Sequence, residues 1–453
     1  MWIFKGLMIM TERTRHILKA FIPVCSFIVV SMITGCSVSI ESESPHYQYE
    51  KSLEQAGLID AALGREWLLA SEKTLRDTLY VKLPFKESGY FFADRANALS
   101  YIFECKKGEH LVIKAECDSV RKVNIFLDLF SLETEEKRRT LKRAGFAEQN
   151  NLTLEFEVKR DQKFLLRLQS ELMRSGRYTI SITIRPRLIF PVKGITGKSI
   201  GGVFGDNRDG GRRKHEGVDI MAPRGTEALA ISEGVVSRRT NNGLGGKVIW
   251  IEGKDNKSFY YAHLDEQLVK PGDYVKVGET IGLVGSTGNA SASAPHLHFG
   301  IYMTGLAPVN PMPFIDNSKM YPPDISAQLN TIGEWGRIKL KKAVIKDSPN
   351  AKGKIITHVE VNTPMELYAA EGDYYRVKLP DNREGFIDSK FVESAVNPET
   401  VAMLSNTKPI FDSPGLNGVV IEYANPGQSI KTYGEFNGYY FVKVDNYPGW
   451  LSK

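Results

Sequence analysis

Read from its first residue, the chain sets a short charged opening against one long apolar run. Arg13, Arg15 and Lys19 precede an apolar stretch from Ala20 to Gly35, which then stops. Such a run, too short for a comfortable membrane span, predicts a secretory signal peptide over residues 1–35. The residues from Ser37 to Pro45 are mostly polar and predict a tether over 36–50. Leu53, Ala56, Ile59, Leu63, Trp67 and Ala70 then recur three or four apart, the spacing of one amphipathic helix. From Leu79 to Ile184 the period shortens. Tyr101-Ile102-Phe103, Leu111-Val112-Ile113, Val123 to Phe130, Leu152 to Val158, Phe164 to Leu168 and Tyr178 to Ile184 are short apolar or alternating runs. Loops and a charged segment from Glu133 to Arg143 separate them. With the helix, they predict an N-terminal domain over 51–187 built as a β-sandwich. None of these runs has catalytic spacing, so the domain reads as a binding or spacer module.

Arg185-Pro186-Arg187 and Pro191 interrupt this pattern and mark a boundary. The next domain, over 188–318, is dense in glycine and short β-type runs, with almost no helical periodicity. A linker over 319–335 carries Pro322-Pro323. The C-terminal part then repeats itself. Asp347-Ser348-Pro349 returns as Asp412-Ser413-Pro414, and Gly372 to Lys378 returns as Asn437 to Lys443 with both tyrosines in step. Gly385-Phe386-Ile387 is answered by Gly449-Trp450-Leu451. These two copies, over 336–395 and 396–453, resemble tandem bacterial SH3-type barrels. That resemblance implies modules that hold a wall substrate, with simple spacers as the alternative. The expected fold is therefore mostly β and multidomain: a sandwich, a β-hairpin-rich middle domain and two SH3-like β-barrels.

Composition narrows the function classes. Of the 453 residues, 42% are hydrophobic and 25% charged, which is ordinary globular material. Four basic residues and one acid precede Cys36, so half of the formal charge of +6 leaves with the signal peptide. No concentrated basic face remains, which argues against a nucleic-acid partner. Ile33-Thr34-Gly35-Cys36 resembles a bacterial lipobox. The resemblance implies cleavage before Cys36 and a diacylglycerol on its thiol, giving an exported protein held to a membrane. Ser37 would then favour the periplasmic face of the outer membrane in a Gram-negative cell; otherwise the cell surface is expected. Cys25 lies within the signal, and Cys105 and Cys117 are either a disulfide or two buried thiols.

Four of the eight histidines fall in the middle domain, in three short pieces. They are His215-Glu216-Gly217-Val218-Asp219, Tyr260-Tyr261-Ala262-His263-Leu264 and Pro295-His296-Leu297-His298-Phe299-Gly300. On a strand, residues two or four apart share a face, so His215 and Asp219 can converge, as can His296 and His298. A helix would splay His296 from His298 by about 200°. Zinc accepts imidazole and carboxylate, and a catalytic site uses three protein ligands plus water, whose pKa falls to about 7. Two further histidines can guide that water or donate to a developing oxyanion. Glu216, between two same-face residues, should point away from them. Pro271 to Gly278 resembles a lipoyl or biotinyl carrier, but Lys276 lacks the setting of a modified lysine and a carrier has no use for four histidines.

At these residues the chain resembles the lysostaphin-type, or LytM-type, zinc endopeptidases. The resemblance runs from about Pro191 to Phe314. It implies that His215, Asp219 and His298 hold one Zn2+ per peptidase domain, and that His263 and His296 form the catalytic pair. Phe204-Gly205-Asp206 with Arg208, and the turn at Gly282, Gly285 and Gly288, fit the family's pattern around the first and last histidines. Tyr260 and Tyr261 are candidates for gripping substrate. The function implied is hydrolysis of peptide cross-links in peptidoglycan. The alternative is a non-catalytic regulator that activates a cell-wall amidase, with such hydrolases as partners. An N-terminal domain covering the groove would be one route to regulation.

Overall fold

The computed structural model describes residues 44–453 except 77, 136–137, 242, 255, 304–306 and 445–446. The signal peptide and Cys36 lie outside the described residues. No helix among the described residues is long and apolar enough to cross a membrane.

Where a tether was expected to continue, the chain is already helical. Ser44 caps a helix over Pro45–Gln55, its Oγ accepting from the Tyr47 amide at 3.3 Å with proline in the first turn. The single expected helix is two, the second over Ala62–Thr74. Gly57 explains the break, because its left-handed φ of 68° ends the first helix where a side chain would resist it. Leu53 and Trp67, one from each helix, meet Phe126 of the sandwich, and His46 stacks on Trp67 at 4.6 Å.

The N-terminal domain has two sheets enclosing one core. In the first, the order is Leu79–Tyr80, Ala98–Cys105, Gln162–Ser170, Ile125–Glu135 and Arg138–Phe146. The charged segment expected to be a separator is the last hairpin of this sheet, with Leu132 opposite Leu141 and Glu133 opposite Thr140. Its charges are tolerable at a sheet edge, where Glu133 pairs with Lys142 at 2.9 Å and also with Arg160. In the second sheet, Phe85–Phe91, Gly176–Arg185, His110–Asp118 and Thr153–Glu157 lie side by side. Tyr178, Ile180, Ile182 and Ile184 alternate inward onto Phe103, Leu127, Phe164 and Leu166. Cys105 and Cys117 lie on strands of different sheets and are free thiols.

The middle domain is built on a sheet in the order Ile200–Gly202, Val218–Met221, His296–Met303, Lys257–Gln267, Lys247–Gly253, Gly234–Thr240 and Tyr274–Val275. Val218, Ile220, Ile249, Ile251, Phe259, Tyr261, Leu297, Phe299 and Ile301 form its buried face. The residues between them in sequence face the other way, and that face carries the site.

Past Phe314 the chain is not a free linker. Lys319 accepts from the Ile184 amide and its ammonium pairs with Glu109 at 2.9 Å, while Ala327 and Ile332 are buried with Ile338 and Leu367. The strand Pro364–Glu371 pairs with Phe85–Phe91 through Ser88 opposite Ala370 and Gly89 opposite Ala369, joining the N-terminal sandwich and the first C-terminal unit in one sheet. The sequence repeat has a structural counterpart. Asp347 Oδ1 accepts from the Lys354 amide and Asp412 Oδ1 from the Val419 amide, each at 2.9 Å, closing the same turn twice. Trp335 of the first unit packs on Phe441 of the second at 4.6 Å.

Candidate active site

His215 stands just before a strand rather than on one, since the strand begins at Val218. What holds it is a loop: its amide donates to Asp206 O, its carbonyl accepts from the Gly205 amide, and its Nδ1 lies 2.8 Å from Val203 O. A carbonyl can only accept, so Nδ1 carries the proton and Nε2 presents a lone pair. Asp219 follows on the strand, pointing away from the core that takes Val218 and Ile220. It is directly opposite His298 in the neighbouring strand, and Met221 is opposite His296. Alternation along His296–Met303 puts both histidines on the groove side and Leu297 and Phe299 inside.

These three side chains converge. His215 Nε2 is 3.0 Å from Asp219 Oδ1 and 2.9 Å from His298 Nδ1, and His298 Nδ1 is 2.9 Å from the same Oδ1. Although burial raises it, the close His215 and His298 imidazoles hold the Asp219 carboxyl far below its usual range. Burial lowers His298 as well, with the Asp219 carboxylate opposing the shift. One carboxylate oxygen and two imidazole nitrogens at mutual contact have too few protons between them to satisfy every pair. A cation among them satisfies all three, so the donor set fits zinc. Arg208 donates to the other carboxylate oxygen of Asp219 at 2.6 Å, fixing the carboxyl plane.

His263 comes from a bulge. Its φ of 61° is left-handed, in the strand Lys257–Gln267 between Ala262, which is opposite His298, and Leu264, which is opposite Lys247. Such a backbone is costly for a residue with a side chain and tends to mark functional sites. The bulge is fixed by bonds from the His263 amide to Gly245 O and from Nδ1 to Thr287 O at 2.9 Å. His296 is held the same way, Nδ1 to Ala294 O at 2.9 Å. Both rings therefore offer Nε2 to the groove, with centroids 5.0 Å apart. Burial pushes His263 down to about 4, with the His296 and His298 charges adding to the shift, so its ring is neutral at pH 7.

Around these residues runs an open groove of about 1010 Å3 whose lining comes entirely from residues 201–302. Among the described residues, neither the N-terminal domain nor a C-terminal unit contributes to its walls. Tyr260 lines it, 5.7 Å from His298. Tyr261 does not, which corrects the expectation that it grips substrate. It faces the core, fully buried against Phe299, and its hydroxyl accepts from the Ile231 amide. Glu216 is exposed on the groove rim, where the Tyr302 hydroxyl donates to it at 3.3 Å. Trp250, Tyr302 and Arg238 line the groove too and were not singled out from the sequence. The inside–outside alternation of Lys247–Gly253, with Ile249 and Ile251 apolar, is the signal that could have found Trp250.

A His/Asp/His cluster lining an open cleft, with two more imidazoles beside it, can hold a metal ion next to acid–base groups. Residues 213–311, which contain all five of these side chains, match the model of Peptidase family M23. Over 94 residues the chain is 37% identical to the peptidoglycan DD-endopeptidase ShyC of Vibrio cholerae, covering 21% of each protein. Over 121 residues it is 40% identical to an L-Ala--D-Glu endopeptidase of Bacillus subtilis, covering 25% of this chain and 37% of that one. The chain thus spans well under half of the length of these curated relatives. The solved catalytic domain of lysostaphin from Staphylococcus simulans aligns at 38% identity over 25% of this chain and 90% of that one, with a TM-score of 0.23.

Proposed function

We propose that this protein is a zinc-dependent endopeptidase that hydrolyses peptide cross-links of peptidoglycan, exported and tethered to a membrane through a lipid on Cys36. The observation that carries the reading is the contact of His215 Nε2, Asp219 Oδ1 and His298 Nδ1 beside the presented Nε2 atoms of His263 and His296. The match to Peptidase family M23 over the same residues supports it, as do relatives whose names describe peptidoglycan endopeptidases.

In this reading His215, Asp219 and His298 hold the metal. Bound there, zinc supplies Lewis acidity toward water and the scissile carbonyl. The protein's own residues do the rest. His263, neutral and anchored through Nδ1–H, has Nε2 free to take a proton from the attacking water. A protonated Nε2 on either His263 or His296 can donate to the oxyanion or return the proton to the leaving amine. Arg208 keeps Asp219 in its ligating orientation.

The test is digestion of purified peptidoglycan by the chain beginning at Ser37, with zinc supplied and fragments read by mass spectrometry. Loss of cross-linked dimers with wild type but not with His298→Ala is the expected result. His298→Ala should also lower bound zinc from one per chain to near none, because two ligands do not make a site. Intact cross-links despite stoichiometric zinc would sink the reading.

A further inference from the structure

Four residues on successive strands form a row across the groove side of the middle sheet. Arg238 is directly opposite Trp250, Trp250 opposite Tyr260, and Tyr260 opposite Gly300, two residues beyond His298. The side chains touch in that order. The Arg238 guanidinium lies 5.9 Å over the Trp250 ring, Trp250 is 4.6 Å from Tyr260, and Tyr260 is 5.7 Å from His298. Gly300 ends the row without a side chain, leaving that end to His298. An aromatic row thus leads from a candidate metal ligand to an arginine. With strands about 4.8 Å apart, Arg238 stands roughly 14 Å away, about four residues of extended peptide.

The charge of the groove is lopsided. Arg208, Arg212, Arg213, Lys214 and Arg238 line it against Glu216 and Asp219. Arg208 is engaged by Asp219, Lys214 donates to Asn207, and Glu216 accepts from Tyr302. Arg238 faces no carboxylate within ion-pair distance among the described residues; its recorded contact is the Trp250 face. A cation–π contact uses none of the guanidinium's N–H groups, and these match a carboxylate with two parallel hydrogen bonds.

Resting on the peptidase reading, we propose that Arg238 is a specificity-determining residue that binds a free carboxylate of the peptide substrate, within about four residues of the scissile amide. The substrate class is then an anionic stem peptide rather than a neutral glycine bridge, which offers nothing to pair with the groove's excess cations. Trp250 and Tyr260 carry the intervening backbone and positions Arg238 cannot reach are left unread.

The experiment uses two synthetic cross-linked stem peptides, identical except that the acidic residue near the scissile amide carries a carboxylate or a carboxamide. Turnover is measured with zinc-loaded wild type and Arg238→Gln from Ser37 onward. Equilibrium affinity is measured separately with the same two proteins after metal removal, so that binding is read without cleavage. Wild type should prefer the carboxylate about tenfold, in KM rather than kcat, as a charge-assisted hydrogen bond allows. Arg238→Gln should lose that preference, Arg238→Lys should keep part of it, and added salt should shrink it. Equal affinity for the two peptides, no measurable binding, or a preference that survives in Arg238→Gln would overturn the proposal. Binding preference without cleavage of either peptide would instead support the arginine's role and sink the peptidase.

Discussion

Tyr260 and Tyr261 are chemically identical, adjacent, and on opposite faces of one sheet, so their substitutions should separate cleanly. Tyr261 is fully buried, and its hydroxyl accepts from the Ile231 amide. Tyr261→Phe strands that buried amide and should cost about 1–3 kcal/mol of stability. A thermal melt should show the loss while wall digestion per folded molecule stays unchanged. Tyr260→Ala opens the groove beside His298, and should slow digestion with little change in melting. If Tyr261→Phe lowered turnover and left the melt alone, the assignment of faces would be wrong. His215 with Asp219 and His296 with His298 are legible in the sequence because each pair is local, four or two residues apart. Arg238 and Trp250 are not, because only cross-strand register brings them to His298, and register leaves no mark in a single sequence.

At the scale of elements, the site depends on one crowded turn. The strand Thr280–Val284 ends at Gly285, which accepts from the His296 amide and lies against the bulge that carries His263. A Cβ on Gly285 would sit 2.5 Å from the Asp265 amide nitrogen and 2.8 Å from His263 O. Backbone cannot yield to that, so Gly285→Ala must push the bulge away. The three candidate metal ligands come from other segments and should stay. The expected outcome is at least about tenfold lower turnover, since a displacement near 1 Å at a catalytic group costs up to about a hundredfold. Zinc content by atomic absorption should remain near one per chain. Loss of zinc together with turnover would mean that the whole site collapses as a unit. The glycine-rich turn is visible in the sequence, whereas the left-handed φ of His263 is not. The expectation of same-face alternation from His215 to Asp219 fails for a related reason. A loop held by Val203, Gly205 and Asp206 aims His215, and loop geometry follows no period.

Across the whole molecule, the sheet that joins Phe85–Phe91 to Pro364–Glu371 ties the N-terminal sandwich to the first C-terminal unit. Small residues at Ser88, Gly89, Ala369 and Ala370 permit the approach, and the Arg95 guanidinium spans the seam to both carboxylate oxygens of Glu366 at 2.6 and 3.1 Å. Strands so far apart in sequence give no local sign of pairing, which is why the apolar pattern suggests separate domains. The junction buries charge. Glu87 is fully buried, accepts from the Tyr101 and Tyr178 hydroxyls at 2.6 and 2.9 Å, and lies 3.7 Å from Arg376. Burial pushes the nearby Glu371 carboxyl from 4.5 up to about 7, with the Glu87 charge adding to the shift and Arg376 opposing it. Between those two values the folded chain holds a proton that the unfolded chain has released. Stability from this group is therefore full below about pH 4.5 and is lost as pH rises through about 7. The shift corresponds to about 3 kcal/mol at most, and screening at a partly exposed site brings it to about 1–2 kcal/mol. Glu371→Gln removes the titration without removing the volume. Its stability relative to wild type, from denaturant midpoints at intervals between pH 4 and 8.5, should rise across pH 4.5–7 and then level off. His46, which burial lowers to about 4, tilts the wild-type curve the other way, but it is present in both proteins and cancels in the difference. A flat difference across that window would mean that Glu371 is solvated, and that the seam between the two units is wetter than its packing indicates.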